Sequence, residues 1–308
     1  MTEYHLLVEE VYEGYRLDKY LAEVIPGLSR SYLQRVVREN GVLAGGRAVK
    51  GSYRVGEGEE IYLQVPEAVI PEIAPEQMLL DILYEDGDVI LVNKPKNMVV
   101  HPAPGHYSGT LVNGLLYHCG KSLSGINGVL RPGIVHRIDK DTTGVIIACK
   151  NDGAHRCLAE QLKEHSITRC YRAIVHGAIR EEEGVVDAPL GRHPVDRKRM
   201  AVVQEGGKEA VTHYRVLERF SGYTYVECRL ETGRTHQIRV HMTSIGHPLL
   251  GDVIYGNVRA PFRLEGQTLH AMTLGFVHPS TKAYMEFQAP VPKYFVHLLE
   301  VLRQGHKI

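Results

Sequence analysis

A stretch rich in proline divides the chain into two parts of unequal size. From Pro66 to Glu76 the sequence PEAVIPEIAPE holds three prolines and three glutamates. Proline removes a backbone donor and fixes φ, so such a stretch favours an extended connection over a helix or an inner strand. We therefore expect a small domain over residues 1–68, a linker over 69–77 and a larger domain over 78–308.

The composition is that of a globular protein without a membrane segment. Basic and acidic residues cancel at 36 each, and apolar residues make up 44% of the chain. The first residues lack the basic start and apolar core of a signal peptide, and no window approaches the roughly 18 apolar residues that a membrane span needs. Five cysteines occur without a C-x-x-C pair, which favours reduced thiols. We therefore expect a cytoplasmic protein that contacts no membrane.

Two helices and several short strands are predicted in the small domain. Apolar residues recur at helical spacing from Leu17 to Ile25, and Pro26-Gly27 ends this first helix. Ser29 is placed to cap a second helix that reaches Asn40. The residues after it alternate short apolar runs with glycine, which is typical of short strands and tight turns. These signals predict two helices on a small sheet.

Basic residues are concentrated in one part of the small domain. Between Leu28 and Arg54 there are six basic residues and a single acid, Glu39. Such segregation makes a basic patch suited to phosphate contacts, although a solvated helix face has the same composition. The candidates for RNA contact in this patch are Arg30, Arg35, Arg38 and Lys50.

The same segment resembles the alpha-L RNA-binding domain. That family favours Leu-Asp-x-x-Leu in its first helix, here Leu17-Asp18 and Leu21, and Ser-Arg in its second, here Ser29-Arg30. It then favours a turn with Asn-Gly, for which this chain has Gly45-Gly46. Glycine supplies the same positive φ as asparagine at such a turn. The resemblance implies that the small domain binds RNA.

Strands outnumber helices in the pattern of the large domain. The run ILYEDGDVILVNKP predicts two strands around Asp86-Gly87-Asp88, and a hairpin is predicted about Ser221-Gly222. A helix is expected from Leu111 to Cys119. We expect an α+β fold whose large domain is built on a mixed, largely antiparallel β-sheet rather than a doubly wound parallel one.

Charged residues interrupt apolar sequence in the stretch GIVHRIDKDTTGVIIACK. Ile134-Val135 and Val145–Ala148 are strand-like runs, and Thr142-Thr143-Gly144 fits the turn between them. Arg137 and Asp139 stand two residues apart in the same stretch. Taken alone, such neighbours are most simply read as a structural ion pair at the end of a strand.

Several common chemistries leave no trace in the sequence. It contains no G-x-G-x-x-G, no Walker-type phosphate loop, no G-x-S-x-G and no H-E-x-x-H. His236, His241 and His247 are the nearest histidine cluster, but their spacing is not that of a known ligand set. We therefore expect neither a cofactor nor a bound metal.

Seven segments of the large domain, in order along the chain, resemble the RluA-type pseudouridine synthases. They read NKPKNMVVHPAPG, GTLVNGLL, GIVHRIDKDTTG, RCYRAIVHG, GRHPVDRKRM, LETGRTHQIRVH and TLHAMTLGFVHP. Asn97 stands where many members have glycine, and asparagine tolerates left-handed geometry better than most residues. The resemblance implies an isomerase that converts uridine in RNA to pseudouridine without a cofactor.

The resemblance also implies roles for particular residues. The essential aspartate of H-R-x-D corresponds to Asp139. The reaction breaks the N1–C1′ bond, turns the uracil and joins C5 to C1′, and an ionised carboxylate can attack C1′ or take the 2′ proton. Arg239, from H-Q-I-R, is expected to pair with Asp139 and keep it charged. Tyr171, from R-x-Y, is expected under the target base.

Further residues are assigned to the RNA by the same resemblance. Arg137, and His136 beside it, are expected to act on the substrate as the target uridine flips out of its stack, a change that costs a few kcal/mol. The inserted guanidinium of Arg137 can stack and bind phosphate. Contact with the RNA backbone is expected from Arg192, Arg197 and Arg199.

RNA is the expected partner, and a monomer is the expected state. An alpha-L domain before this catalytic region, together with GRHPVDRKRM, favours large-subunit (23S) ribosomal RNA as the target, and transfer RNA is the alternative. A non-catalytic RNA-binding factor of ribosome assembly is the second alternative. A base-excising glycosylase is less favoured, because glycoside hydrolases need two carboxylates at the bond and the sequence places one.

Overall fold

The chain divides into two compact units, Met1–Pro71 and Glu72–Ile308. The computed structural model describes residues 2–26, 28, 30–66, 73–103, 106–120, 122–126, 131–196, 199–256 and 262–305. Ser29, predicted to cap a helix, and residues 69–72 of the predicted linker lie outside this description. None of the helices in the described part combines the length and apolar character that crossing a membrane requires.

The N-terminal unit holds two helices and one antiparallel sheet, as predicted. Its elements are β1 (Thr2–Leu7), α1 (Leu17–Val24), α2 (Arg30–Asn40), β2 (Leu43–Ala44), β3 (Arg47–Ala48) and β4 (Glu60–Val65). The strand order is β1-β4-β2-β3. The turn between β2 and β3 places Gly45 at φ +54° and Gly46 at φ +76°. Two positive φ angles are what a tight hairpin of this kind requires, so glycine replaces asparagine without strain.

The core of this unit comes from the apolar faces of both helices. Leu17, Tyr20 and Leu21 of α1 are buried, as are Leu33 and the two valines that follow it on α2. These side chains pack on Ile61 and other apolar residues of the sheet. Burial of one apolar stripe per helix explains why the helical spacing is legible in the sequence.

The C-terminal unit is built around a nine-stranded sheet. The strands of the unit, nine in this sheet and two in a separate hairpin, are β5 (Ile82–Glu85), β6 (Val89–Lys94), β7 (Thr143–Cys149), β8 (Thr168–His176), β9 (Glu183–Asp187), β10 (Leu190–Arg192), β11 (Met200–Val202), β12 (Val211–Phe220), β13 (Tyr223–Leu230), β14 (Leu269–Val277) and β15 (Tyr284–Gln288). Its helices are α3 (Leu111–Cys119), α4 (Asp152–Lys163), α5 (Gln237–Ser244) and α6 (Lys293–Arg303).

The large sheet runs in the order β5-β6-β7-β14-β8-β13-β12-β9, and β15 pairs with β14. Strands β7 and β14 are parallel, and the other pairs of this sheet are antiparallel. Strands β10 and β11 form a separate hairpin. The sheet is therefore mixed and largely antiparallel, which confirms the predicted α+β class.

Both faces of the sheet are covered. Along β8, Tyr171, Ala173 and Val175 belong to the main core, whereas Ile174 packs in a cluster with Phe295 of α6. Alternate residues of a strand point to opposite faces, so this pattern places α6 on the face opposite the main core. The predicted helix α3 and the hairpins β5–β6 and β12–β13 are confirmed.

The predicted turn at Thr142-Thr143-Gly144 is wrong. Strand β7 already begins at Thr143, and the chain turns earlier, where the Thr142 N–H donates to the Asp139 carbonyl at 3.1 Å. Gly144 lies inside the strand with φ +111°, and a Cβ there would overlap the Ala271 backbone of β14. The glycine therefore serves the close approach of two strands, a non-local requirement. Ile134, predicted to lie in a strand, instead pairs with Ala148 through an isolated bridge.

Candidate active site

A cavity of about 310 Å³ lies where the turn before β7, strand β8 and the start of helix α5 come together. Its size falls at the lower end of the roughly 300–1,000 Å³ typical of small-ligand sites. The structure brings all five predicted catalytic and substrate residues into its lining. The lining residues are Val135, His136, Arg137, Ile138, Asp139, Thr142, Leu162, His165, Arg169, Tyr171, Leu230, Gly233, Arg234, His236, Gln237, Ile238, Arg239 and Leu269.

Asp139 is presented by a turn that a buried lysine supports from below. The Lys94 Nζ donates to the carbonyls of Pro95 at 2.9 Å, Met98 at 2.8 Å and Lys140 at 3.0 Å. Burial lowers the pKa of Lys94 to about 7, and nearby carboxylates, Asp141 and then Asp139, oppose that shift. One ammonium with three donors thereby fixes the end of β6 to the residue that follows Asp139.

Arg239 holds two carboxylates at once. Its Nε and Nη2 donate to Asp252 at 2.7 and 2.9 Å, and its Nη1 donates to the Asp139 Oδ2 at 2.8 Å. The Arg239 side chain is 5% exposed and that of Asp252 is 1% exposed, so both charges depend on this pairing. A planar guanidinium has the fork geometry that such a bidentate contact needs.

The electrostatics of this cluster keep the arginine charged. Burial acts to lower the pKa of Arg239, but the hydrogen bonds and charges of Asp252 and Asp139 raise it above its usual range. Burial acts to raise the pKa of Asp252, yet the Arg239 guanidinium and the N–H groups of Tyr255 and Ile254 hold it below its usual value. Arg239 and Asp252 are therefore both charged, and Asp139 completes a triad of one guanidinium and two carboxyl groups.

One oxygen of Asp139 is left open toward the cavity. Oδ2 is taken by Arg239, whereas Oδ1 accepts no hydrogen bond from the described residues and lies 3.6 Å from the His236 Nε2. The Asp139 side chain is 17% exposed, the most of the three members of the triad. A carboxylate oxygen held in place and not saturated by donors can act as a nucleophile or a base.

Tyr171 and apolar side chains form the wall beside Asp139. Tyr171 is 8% exposed on β8, and Leu230 and Leu269 line the cavity with it. Burial raises the pKa of the Tyr171 hydroxyl, Arg169 opposes this shift and Asp139 adds to it. The ring is therefore a neutral, flat surface at neutral pH, suited to contact with an aromatic base.

His236 stands on the other side of the Asp139 carboxylate. Its Nδ1 lies 2.8 Å from the Tyr255 hydroxyl, and its ring meets the Tyr255 ring edge-on at a centroid distance of 5.6 Å. Its backbone is left-handed, with φ +57°. Burial lowers the pKa of His236, an effect that Asp139 opposes. The imidazole is neutral at physiological pH.

Comparisons with known proteins identify the family of this chain. A family model described as RNA pseudouridylate synthase matches residues 88–244, and one described as S4 domain matches residues 16–61. An uncharacterized RNA pseudouridine synthase of Bacillus subtilis is 52% identical over 305 residues, which covers 99% of this chain and 100% of the relative.

The chain belongs to the RNA pseudouridine synthase family.

Two further likenesses support that membership. Ribosomal large subunit pseudouridine synthase D of Zymomonas mobilis subsp. mobilis is 46% identical over 311 residues, which covers 98% of each chain. The solved structure of human RNA pseudouridylate synthase domain containing 1 matches with a TM-score of 0.57 and 25% identity, over 74% of this chain and 97% of that one. The chain is thus an RNA pseudouridine synthase, an isomerase, with an RNA-binding S4 module.

His136 and Arg137 of the synthase differ in their environment and in their hydrogen bonds. The His136 Nε2 accepts the Ile147 N–H of β7 at 3.1 Å, and burial lowers the pKa of this histidine to about 3. His136 is therefore a neutral acceptor for the backbone. Arg137 is exposed at the edge of the cavity and makes no hydrogen bond or ion pair with the described residues. The simple ion pair of Arg137 with Asp139 does not form.

The predicted RNA-binding residues of the synthase differ in their exposure and in the contacts that their side chains make within the protein. Lys50 is exposed, Arg35 lies 5.2 Å from the Tyr32 ring centroid and Arg38 pairs with Glu39 at 3.6 Å. Arg30 instead donates to the buried Asp18 at 2.9 Å. Arg192 is exposed on β10, Arg199 lies 5.2 Å from the Tyr255 ring centroid, and Arg197 lies outside the described residues.

Sequence reasoning missed several residues of this site, among them His236, which lines the cavity beside Asp139. Asp252 and Tyr255 contact Arg239, and Arg169 lines the cavity. Lys94 acts on the backbone, through the carbonyl of the residue after Asp139. Arg169 is buried and donates from Nη2 to the Glu231 carbonyl at 2.7 Å. A signal for Asp252 was present, because a buried arginine requires a compensating carboxylate and Asp252 follows Arg239 by 13 residues. The role of Lys94 has no local signal, since its acceptors are backbone carbonyls.

Proposed function

We propose that this synthase isomerises uridines of large-subunit ribosomal RNA and that Asp139 is its catalytic carboxylate. The observation that carries the role of Asp139 is the division of its two oxygens, with Oδ2 paired to Arg239 at 2.8 Å and Oδ1 open to the cavity. The target RNA is supported by relatives named ribosomal large subunit pseudouridine synthase D, which are 43–46% identical over nearly the whole chain.

The proposed chemistry needs one ionised carboxylate beside the sugar. Oδ1 of Asp139 either bonds to C1′ as the N1–C1′ bond breaks, or takes the proton from C2′ while a C1′=C2′ double bond forms. Both routes require a charged carboxylate in a site with little water, and Arg239 supplies the compensating charge. Its second partner, Asp252, holds the guanidinium so that Nη1 points at Asp139.

The cavity is proposed to receive one base rather than a paired helix. Its walls of Tyr171, Leu230 and Leu269 supply flat and apolar contacts for a uracil ring. A base inside a duplex cannot reach such a pocket, so the target uridine has to leave its stack at a cost of a few kcal/mol. Arg137, exposed and unpaired among the described residues, is placed to fill the vacated position and to bind phosphate.

Basic residues outside the cavity are proposed to bind the RNA backbone. Arg35, Arg38 and Lys50 present charge on the N-terminal unit, and Arg192 does so on β10. Contacts of this kind supply affinity and orientation without reading sequence. We propose that the protein acts as a monomer, because one chain already contains the complete arrangement of carboxylate, arginine and tyrosine.

The target is tested with RNA labelled with tritium at uridine C5. Wild type and Asp139→Asn are incubated with transcribed large-subunit ribosomal RNA and, in parallel, with transfer RNA. We expect release by the wild type from ribosomal RNA only, and carbodiimide mapping then locates the modified uridines. Release from transfer RNA alone would overturn the proposed target. Release by Asp139→Asn at the wild-type rate would overturn the role of Asp139, and binding without release by either protein would favour a binding factor.

A further inference from the structure

We propose that His236 is a further catalytic residue, whose Nε2–H donates a hydrogen bond to the O2 carbonyl of the target uracil as the N1–C1′ bond breaks. The proposal rests on the proposed function, since it takes Asp139 as the group that meets the sugar. Neither the family resemblance nor the predicted site residues include this histidine in a catalytic role.

The hydrogen-bond network fixes which ring nitrogen carries the proton. The Tyr255 hydroxyl oxygen accepts the Met200 N–H at 2.9 Å and lies 2.8 Å from the His236 Nδ1. Among the described residues, Nδ1 is the only acceptor within reach of the hydroxyl hydrogen. Nδ1 therefore accepts, and the proton of the neutral ring resides on Nε2.

The free donor points to the part of the cavity where the chemistry is proposed. The His236 Nε2 lies 3.6 Å from the open Oδ1 of Asp139, too far for a strong hydrogen bond and close enough to share one ligand. Burial lowers the pKa of His236, so the ring donates a hydrogen bond as a neutral group and does not add a second cation beside Arg239.

The covalent structure of uridine brings O2 to this donor. The carbon that bears O2 and the sugar C1′ are both bonded to N1, so a carboxylate that reaches C1′ or the 2′ proton lies beside O2. When the N1–C1′ bond breaks, its electron pair passes to the uracil and is shared between N1 and the two carbonyl oxygens. A donor at O2 is therefore stronger in the transition state than in the ground state, which is the condition for catalysis.

The bonds formed and broken and the protons transferred balance in both proposed routes of Asp139. In the first, the Oδ1–C1′ bond forms as N1–C1′ breaks, and C5 later displaces the carboxylate from C1′. In the second, Asp139 takes the C2′ proton, and returns it when C5 adds to the C1′=C2′ double bond. In each route C5 loses its proton to water and N1 gains one from water, so His236 keeps its own proton throughout.

The backbone around His236 is held in a costly conformation. A residue with a side chain at φ +57° is strained, and such strain persists only where the surroundings impose it. Here Gln237 imposes it, because its Oε1 accepts the Arg234 N–H at 2.9 Å and the Thr232 hydroxyl at 2.8 Å. This fixed turn at the start of α5 positions the imidazole toward Asp139 within the cavity.

The test pairs two variants with three substrates. His236→Gln keeps an amide donor near the position of Nε2, whereas His236→Asn places its amide near Nδ1 and lacks that donor. Each is assayed by C5 tritium release on a stem-loop RNA around a mapped uridine, made with uridine, 2-thiouridine or 4-thiouridine at the target. Sulfur is a weaker acceptor than oxygen, so 2-thiouridine removes the proposed contact, and 4-thiouridine is the matched control. Intrinsic effects of sulfur cancel in the ratio of wild-type to variant rates.

We expect the ratio of wild type to His236→Asn to be about 100 on uridine and on 4-thiouridine, since one such donor contributes about 10²–10³ in kcat. On 2-thiouridine the ratio should fall below about 5. His236→Gln should recover at least tenfold over His236→Asn. Equal ratios on all three substrates, or no recovery by glutamine, would overturn the proposal. Asp139→Asn runs in parallel, and activity retained there would overturn the role of Asp139 instead.

Discussion

Two clusters of arginine and carboxylate, one in each unit, distribute their charges in opposite ways. In the N-terminal unit, the single carboxylate of Asp18 accepts from Arg16 at 3.1 Å, Arg30 at 2.9 Å and Gln34 at 2.5 Å. In the C-terminal unit, the single guanidinium of Arg239 serves two carboxylates. In the first cluster three side chains donate to one carboxylate. In the second cluster one side chain donates to two carboxylates.

The difference separates a structural anchor in the N-terminal unit from the proposed reactive site in the C-terminal unit. Asp18 is saturated, and hydrogen bonds from Arg16 and then from Gln34 and Arg30 hold its pKa well below its usual range despite burial. It joins α1 to α2 and has no oxygen left for a ligand. Arg239 is shared between two carboxylates, and the Oδ1 of Asp139, at the cavity, receives no hydrogen bond from the described residues. Arg30, predicted from sequence to contact RNA, is engaged in the saturated cluster.

The largest effect is expected from removing the shared cation. Arg239→Met leaves Asp139 and Asp252 close together without a counter-charge, so one of them protonates. We expect the rate of isomerisation to fall by about 10³-fold or more, and the free energy of unfolding to fall by about 3–5 kcal/mol. Single-turnover tritium release and urea unfolding measure the two losses. Arg239→Lys is the control that keeps the charge without the fork, and activity within tenfold of wild type in Arg239→Met would contradict the account.

A smaller effect is expected when the support beneath Asp139 is removed. Lys94→Met leaves three carbonyls without their donor, which should cost about 3 kcal/mol and slow the reaction about tenfold through a looser turn. Burial lowers the pKa of Lys94 to about 7. From about pH 7 to about pH 10, Lys94 is therefore protonated in the unfolded chain and largely unprotonated in the folded one. The stability of the wild type should therefore rise with pH in that window relative to Lys94→Met. Urea unfolding at three pH values checks the slope, and parallel curves would contradict it.

The saturated cluster should affect stability without affecting chemistry. Asp18→Asn is expected to lower the stability of the N-terminal unit by about 1–3 kcal/mol and to leave the single-turnover rate with saturating RNA unchanged. The folded pKa of Asp18 is lowered, so its contribution is present above the unfolded value near about 3.9 and is lost as the pH falls through the folded value. Thermal unfolding at pH 7 and pH 3 should show a difference between the proteins that shrinks at the lower pH. A tenfold loss of rate in this variant would remove the distinction between the clusters.

The smallest effect is expected from an exposed cation outside both clusters. Lys50→Ala should weaken RNA binding by about threefold and reduce the salt dependence of binding by about 0.7–0.9 of a unit in log–log slope. Lys19→Ala is the matched control, since Lys19 pairs with Glu23 at 3.7 Å. Filter binding at several salt concentrations distinguishes the two. Equal slopes for wild type and Lys50→Ala would show that Lys50 contacts no phosphate.

Local signals in the sequence were sufficient for much of the fold. Helix α3 begins after Thr110, whose side chain accepts the Asn113 N–H, and the β12–β13 turn holds Gly222 at φ +81°. Such features depend on a few neighbouring residues and can be predicted from them. The prediction of a turn at Thr143 and Gly144 was wrong, because the glycine is required by the close approach of strand β14, which is distant in sequence.

The site residues, too, divide into those predicted from local sequence motifs and those whose contacts form only in the tertiary structure. Asp139, Tyr171 and Arg239 were predicted because each sits in a motif, and the structure places all three at one cavity. Asp252 and Tyr255 were not predicted, because their partners are fixed only when α5 folds against the loop that follows it. The division of donors between two carboxylates is a tertiary property, and no single segment reveals it.

The role of the open Asp139 oxygen is tested most directly by the single-turnover rate of tritium release by Asp139→Asn on the mapped stem-loop. Asparagine keeps the shape and the contact with Arg239, and removes only the charge and the reactive oxygen. We predict a loss of at least about 10⁴-fold in rate, with RNA affinity within threefold of wild type. A rate within tenfold of wild type would contradict it, and would mean that the open oxygen of Asp139 takes no part in the reaction.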